Sequence, residues 1–361
     1  MEVLNTFPHK ESYTFVVVPL RNMSEQKDVE VPIKDLTSIV HAALLSTGLR
    51  GDDAKVITDN LMYAEMRRNN QGVIKVTSGA LNPSKSEGEI EIKKETPVSA
   101  LVDGKGRIGM CVMKRCLDIG IEKARSSGVA VVSASGYKSA TGALGYWAYQ
   151  AAKEGFIYIM CCQCPEMVAP AGSYEAIFGT NPLAMGFPRG KDKPPVVLDM
   201  ATSAEAWYHL KMSEAKGEPI RDDIAYDEHG RPTSSASAAL KGALRTFGGH
   251  KGSGLALMVE LLAGSLSGAD MEDKWNAKRG WGTFMLLLKP ELMGEEEDIL
   301  AAADTMTARV QGAKRLQETV EVLYPGERGS RNEEETLRRG TIPIPGTVLA
   351  RLQAMAGSQE N

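Results

Sequence analysis

One stretch limits the possible folds more than any other. Residues 98–102 read as an apolar strand, 104–109 as a glycine loop, 110–125 as a helix, and 129–133 as a second apolar strand. Strand, loop, helix and strand make a βαβ unit, which places the chain in the α/β class. Around it, the pattern predicts a helix over 145–154, strands over 157–162, 196–200 and 281–288, an apolar helix over 254–264 and a long amphipathic helix over 299–323. Upstream, Leu36, Ile39, Val40, Ala43 and Leu44 recur at helical spacing and stop at Gly48. A second helix is expected to start near Asp52 or Asp53 and to turn Val56, Ile57, Leu61 and Met62 inward, so the two form a hairpin. Past Leu81 the chain reads as a polar surface excursion until Pro97, and 327–339 as a charged, solvated tail.

The glycine loop, Gly104-Lys105-Gly106-Arg107-Ile108-Gly109, matches the G-x-G-x-x-G turn that holds pyrophosphate in dinucleotide-binding folds. Its companion feature is missing. The strand that follows ends in Ser133, Ala134 and Ser135, with no acidic residue for the ribose hydroxyls. The loop is therefore expected to be a tight strand-to-helix turn without a ligand.

At 361 residues the chain exceeds the usual size of a single compact core. A formal net charge of -4 and dispersed Lys and Arg argue against a nucleic-acid footprint. The five cysteines, Cys111, Cys116, Cys161, Cys162 and Cys164, lie in apolar text and suit reduced thiols, so a cytoplasmic location is expected. Three of them crowd one strand, but neighbouring strand residues face opposite sides and no second ligand cluster exists, so no metal site is expected. The apolar patch 13–20 is too short for a membrane span and lacks signal-peptide flanks; it reads as an extra edge strand or an N-terminal arm, and no membrane association is expected.

Glycine, proline and polar residues gather where strands end. Three blocks stand out: Ala169-Pro170-Ala171-Gly172 through Gly179-Thr180-Asn181-Pro182, then Asp199-Met200-Ala201-Thr202, then Gly249-His250-Lys251-Gly252-Ser253-Gly254-Leu255 leading to Glu260 and Gly264. Such loops offer free backbone groups to a ligand. Lys251, set among glycines, suits a phosphate, or is a surface lysine. Asn181 can orient a carboxylate or carboxamide, or form a plain Asn-Pro turn. Asp199 can bind ribose or cap a helix.

In these blocks, in this order, the chain resembles the type-2 malate/L-lactate dehydrogenase family over roughly residues 31–352. The resemblance implies a non-Rossmann fold with a mixed β-sheet cofactor domain and a helical domain from both ends of the chain. The boundaries are an arm at 1–30, helical segments at 31–95 and about 296–361, and the cofactor domain at 96–295. It implies an NAD- or NADP-dependent oxidoreductase that interconverts a small 2-hydroxy acid and its 2-oxo acid, working as a homodimer. Asp199, Met200, Ala201 and Lys251 match cofactor contacts, Gly326-Glu327-Arg328 matches a C-terminal contact loop, and Cys164 stands where relatives often carry a cofactor-touching serine.

Two departures bear on the chemistry. Gln71 takes the place of one family histidine, and Ala140, within Tyr137-Lys138-Ser139-Ala140-Thr141-Gly142, takes the place of the acid/base histidine. Ketone reduction leaves an alkoxide that must be protonated, and a positioned donor is worth ~100- to 10,000-fold in rate. His250 is the first candidate, followed by Lys138, with Tyr137 and Tyr146 also in reach. Arg67 is a candidate anchor for a substrate carboxylate, with Gln71 beside it, though Arg67 and Arg68 also suit the C-terminus of their helix. Loss of both imidazoles leaves open a second reading, a member of the family that binds dinucleotide or metabolite without catalysis.

Overall fold

A computed structural model of the protein describes residues 28–78, 81, 88–137 and 139–357. Its centre is a seven-stranded sheet. Spatial order runs Glu91–Thr96, Ser99–Asp103, Val129–Tyr137, Trp281–Leu288, Ile157–Cys162, Leu183–Phe187 and Val196–Met200. Only Ser99–Asp103 and Val129–Tyr137 run parallel, joined by the helix Gly109–Ser127; every other neighbouring pair is antiparallel. The expected βαβ unit is present inside a mixed sheet. The Glu91–Thr96 strand, within the segment expected to be a polar excursion, forms the sheet's edge and shows mostly exposed residues. An edge strand with water on its face needs no apolar alternation, so nothing in its composition marks it.

The glycine loop consumes its own N–H groups. Gly104 N donates to Ser135 O (2.7 Å), Gly106 N to Gly136 O (2.7 Å) and Gly109 N to Ser139 Oγ (2.8 Å). A Cβ on Gly109 would lie 2.8 Å from Ser139 O and 2.9 Å from Ala140 O. Glycine here lets two backbones touch, and the N–H groups named already have protein acceptors.

The two ends of the described chain meet. Asp28–Pro32 pairs antiparallel with Thr341–Pro345, helix Ile33–Leu45 packs on helix Gly346–Gly357, and helix Gly51–Met66 packs on helix Glu327–Arg339. That last helix replaces the solvated tail expected from composition. Its buried positions Glu327, Ser330 and Thr336 are polar, so apolar periodicity could not reveal it. The long helix expected over 299–323 is shorter, Glu296–Gln311, and stops at Gly312. One apolar cluster runs from Val31 and Leu36 through Val132 and Met285 to Leu352, joining the terminal helices to the sheet. The 13–20 patch and Lys138 lie outside the described residues.

Candidate active site

The three motif blocks, far apart in sequence, are bonded to one another at the end of the central sheet. Thr202 N donates to Thr180 O (2.9 Å), Phe247 N to Thr202 O (3.1 Å), and Ala171 N to Ser253 Oγ (3.2 Å). Gly248 and Gly249 take left-handed φ values of 54° and 59° and open the helix His250–Val259, so the chain enters it as an exposed turn with Lys251 in its first turn. A helix start with a nearby cation is a natural anion seat. A Cβ built on Gly249 would meet nothing within 4 Å, leaving room for a phosphate group.

Asp199, near the end of its strand, accepts a bond from Gly145 N (2.7 Å) at the start of helix Leu144–Lys153, so its capping role is real. Although solvent reaches the residue, protein surrounds its carboxyl, and that crowding pushes its pKa up to about 6. Gly326 packs against the same strand: a Cβ there would sit 3.0 Å from Val197 N and O. Met200 and Ala201 are half-buried beside it, and Arg328 is exposed. Glu327 differs from expectation. Its carboxylate accepts from Gln311 Nε2 (2.6 Å), Tyr324 N (3.1 Å) and Arg331, so it fastens its own turn and has little left for a ligand.

Two expected substrate residues are structural. Arg67 is buried, stacked between Tyr63 (4.5 Å) and Tyr149 (4.7 Å), and paired with Glu333 at 2.8 Å. It pins helix Gly51–Met66 to helix Glu327–Arg339 and is not free to anchor a carboxylate. Asn181 is fully buried. Its amide donates to Ala256 O (3.2 Å) and Glu260 Oε1 (2.9 Å), and its Oδ1 accepts from Cys164 N (3.2 Å). Glu260, in turn, holds Lys274 (2.9 Å) and Gln163 (2.8 Å), a buried network that fixes the loop after Ile157–Cys162. Gln71 is half-buried, and its side-chain amide donates to Asn70 Oδ1 (3.1 Å).

The expected proton donors fare unequally. Tyr137 is a core residue whose hydroxyl meets Thr283 Oγ1 (2.6 Å) and donates to Gly282 O (3.0 Å); burial raises its pKa well above the usual phenol value, and a substrate cannot reach it. Tyr146 is buried against Trp147 and Tyr63, and burial pushes its pKa up to about 12. His250 is exposed at its helix start. Cys164 is half-buried, with burial raising its thiol pKa and the Thr180 hydroxyl at 3.7 Å from its sulfur.

Three groups in unusual surroundings were missed by sequence reading. Glu65 accepts from Val73 N (2.6 Å) and fills the space that a side chain at Gly72 would need; burial pushes its carboxyl up to about 7. Tyr208 feels the Glu65 charge, and its hydroxyl is buried without a hydrogen-bond partner. Lys75, on the one-turn helix Ile74–Thr77, is half-buried, and burial lowers its pKa to about 8. Only the fold creates these environments, so composition gave no signal for them. Among the described residues, no group of His, Cys, Asp and Glu could hold a metal.

Comparison with known proteins places the chain in one family. A profile of the malate/L-lactate dehydrogenase family matches residues 31–353. The chain is 31% identical over 352 residues to a malate dehydrogenase of Pyrococcus horikoshii, covering 92% of this chain and 96% of that protein. It is 37% identical over 282 residues to a Δ1-pyrroline-2-carboxylate/Δ1-piperideine-2-carboxylate reductase of Pseudomonas aeruginosa, covering 75% and 80%. The crystal structure of malate dehydrogenase from Entamoeba histolytica, 22% identical, superposes with a TM-score of 0.85 over 93% of this chain and 99% of that one, a likeness of fold.

Proposed function

Because this chain belongs to the malate/L-lactate dehydrogenase family, we propose that it moves a hydride between a nicotinamide dinucleotide, NAD or NADP, and a small 2-oxo or 2-hydroxy acid. The observation that carries this reading is the convergence of the three motif blocks at one sheet end within a family match spanning nearly the whole chain. Binding without catalysis is the less favoured reading.

When bound, the dinucleotide supplies the hydride. The chain's own residues seat it and manage the proton. Lys251 and the Gly248-Gly249 turn suit a phosphate. Asp199, Met200 and Ala201 at one strand end, with Gly326 packed on the same strand, would meet the ribose and its neighbours, and Arg328 is exposed nearby. Cys164, its N–H taken by Asn181, has only its side chain to offer just beyond the Ile157–Cys162 strand. Gln71 is the remaining expected substrate contact.

The reading extends to assembly and place. The expected division at 95 and about 296 is supported by the paired terminal strands and the helices packed around them, except that the strand Glu91–Thr96 belongs with the sheet of the cofactor unit. A homodimer is supported by Leu255, Leu257, Met258 and Leu261, which are 41%, 49%, 50% and 46% exposed on consecutive turns of one helical run. Apolar side chains in such a row favour a covering partner, here a second copy. No described helix is long and apolar enough to cross a membrane, and the chain is assigned to the cytoplasm on its free thiols.

Mixing the protein with NADH or NADPH and a panel of small 2-oxo acids tests the activity. Oxidation of the cofactor that depends on the oxo acid is expected. Cofactor binding with no turnover across the panel would favour the non-catalytic reading instead.

A further inference from the structure

We infer that Asn181 is a positioning residue of the cofactor seat: without touching the dinucleotide, it sets the helix that carries Lys251 against the strand end that carries Asp199. This rests on the proposed seat for the dinucleotide. The backbone gives the first sign. Asn181 takes a left-handed φ of 39° although it has a Cβ and precedes Pro182, a position where contact with the proline ring favours extended backbone. Such a conformation persists only where its surroundings hold it, and Asn181 is fully buried with both polar atoms of its side chain bonded.

The partners decide which way the amide faces. Its Nδ2 donates to Ala256 O at 3.2 Å and to Glu260 Oε1 at 2.9 Å, which leaves Oδ1 to accept from Cys164 N at 3.2 Å. Glu260 cannot turn away, because Lys274 Nζ donates to the same oxygen at 2.9 Å and Gln163 Nε2 to the other at 2.8 Å. Lys274 is 1% exposed and balances the carboxylate charge inside the protein. Ala256 and Glu260 belong to the helical run that starts at His250, so the amide grips the body of the helix whose first turn holds Lys251.

On its other side the residue reaches the second motif block. The carbonyl of its neighbour Thr180 accepts from Thr202 N at 2.9 Å and from Thr202 Oγ1 at 3.0 Å, and Thr202 closes the block that begins at Asp199. That block also touches the helix start directly: a Cβ on Gly252, next to Lys251, would lie 2.9 Å from Thr202 O. One contact leaves a helix free to pivot, whereas two separated contacts fix its tilt. Gly252 supplies the first and Asn181 the second. A binding group has to be held within about 0.5 Å of its productive place, so the second contact bears on how well Lys251 meets a phosphate.

Asn181→Gly is the informative variant, because glycine accepts the left-handed φ while giving up all three side-chain bonds. Fluorescence titration with NADH or NADPH, whichever the wild type binds, should show a Kd about tenfold higher in the folded variant. In a Lys251→Ala background the same change should cost less than about twofold, since the contact it positions is already gone. A residue that serves stability alone would move the urea midpoint and leave Kd as in the wild type. Should Asn181→Gly not fold, Thr202→Val severs only the bond from Thr202 Oγ1 to Thr180 O and should raise Kd about fivefold. A folded Asn181→Gly within about threefold of the wild-type Kd would overturn the inference, as would equal losses with and without Lys251, or an unchanged Kd in Thr202→Val where that variant takes its place. A wild type that binds neither dinucleotide, or a Lys251→Ala variant that binds like wild type, would overturn the seat itself and the inference with it.

Discussion

At Glu65 a single side chain joins stability to the site. Its folded pKa of about 7 stands above the usual value of 4.5, so the native state holds this proton more tightly than the unfolded chain does. By linkage, its stabilising effect is complete below the unfolded value and is lost as pH rises from about 4.5 to about 7. Glu65→Gln keeps an acceptor for Val73 N and removes the titration. Urea unfolding should show the variant equal to wild type in acid and more stable by about 1–3 kcal/mol near pH 8. A variant less stable than wild type at that pH would mean the ionised carboxylate is stabilised by something else. Arg67 carries a different lesson at the same scale. Its sequence position suggested an anchor, yet of the groups that enclose it only Tyr63 is local, and Glu333 lies 266 residues away, which no local reading can see.

Among the elements, those with apolar periodicity were legible in the sequence. The strands Ile157–Cys162, Val196–Met200 and Trp281–Leu288 stand where the alternation and bounding turns placed them, and the terminal hairpin helices differ by a residue or two. The elements that escaped are stabilised by polar groups. Helix Glu327–Arg339 buries Glu327, Ser330 and Thr336 and leans on Arg67, so its inner face reads as charge. The helix expected over 254–264 begins earlier, at His250, and its second half opens into a π-helical stretch, Glu260–Ser265, that contains buried Glu260. The motif blocks were legible as a group, whereas the roles of Asn181 and Glu327 depended on partners visible only in three dimensions. The two glycine elements make opposite predictions. Gly109→Ala should cost stability, because Ser139 O and Ala140 O crowd the new methyl, yet leave cofactor affinity of the folded protein intact. Lys251→Ala should weaken cofactor binding by ~1.5–3 kcal/mol, the range for a hydrogen bond to a charged group, with little effect on unfolding. Isothermal titration of both variants checks the pair, and the reverse ranking would return the dinucleotide to the Gly104 loop.

On the scale of the whole molecule, the sheet, the paired terminal strands and the motif blocks form a scaffold whose rigid parts are buried polar networks and whose open face is apolar. The helical run from His250 to Ser265 takes part in both: it begins at the candidate phosphate seat and carries the exposed leucines of the proposed dimer face. Leu257→Lys with Leu261→Glu should convert a dimer to a monomer in analytical ultracentrifugation; a wild type that is monomeric at every concentration would refute the interface. The central claim concerns the chemistry, and isotope transfer tests it most directly. NADH or NADPH carrying deuterium at the transferable C4 position, incubated with the protein and a 2-oxo acid, should give a 2-hydroxy acid labelled with deuterium at C2 alone. Cofactor that stays reduced, or a product in which C2 carries no label from either C4 face, would contradict direct hydride transfer by this protein.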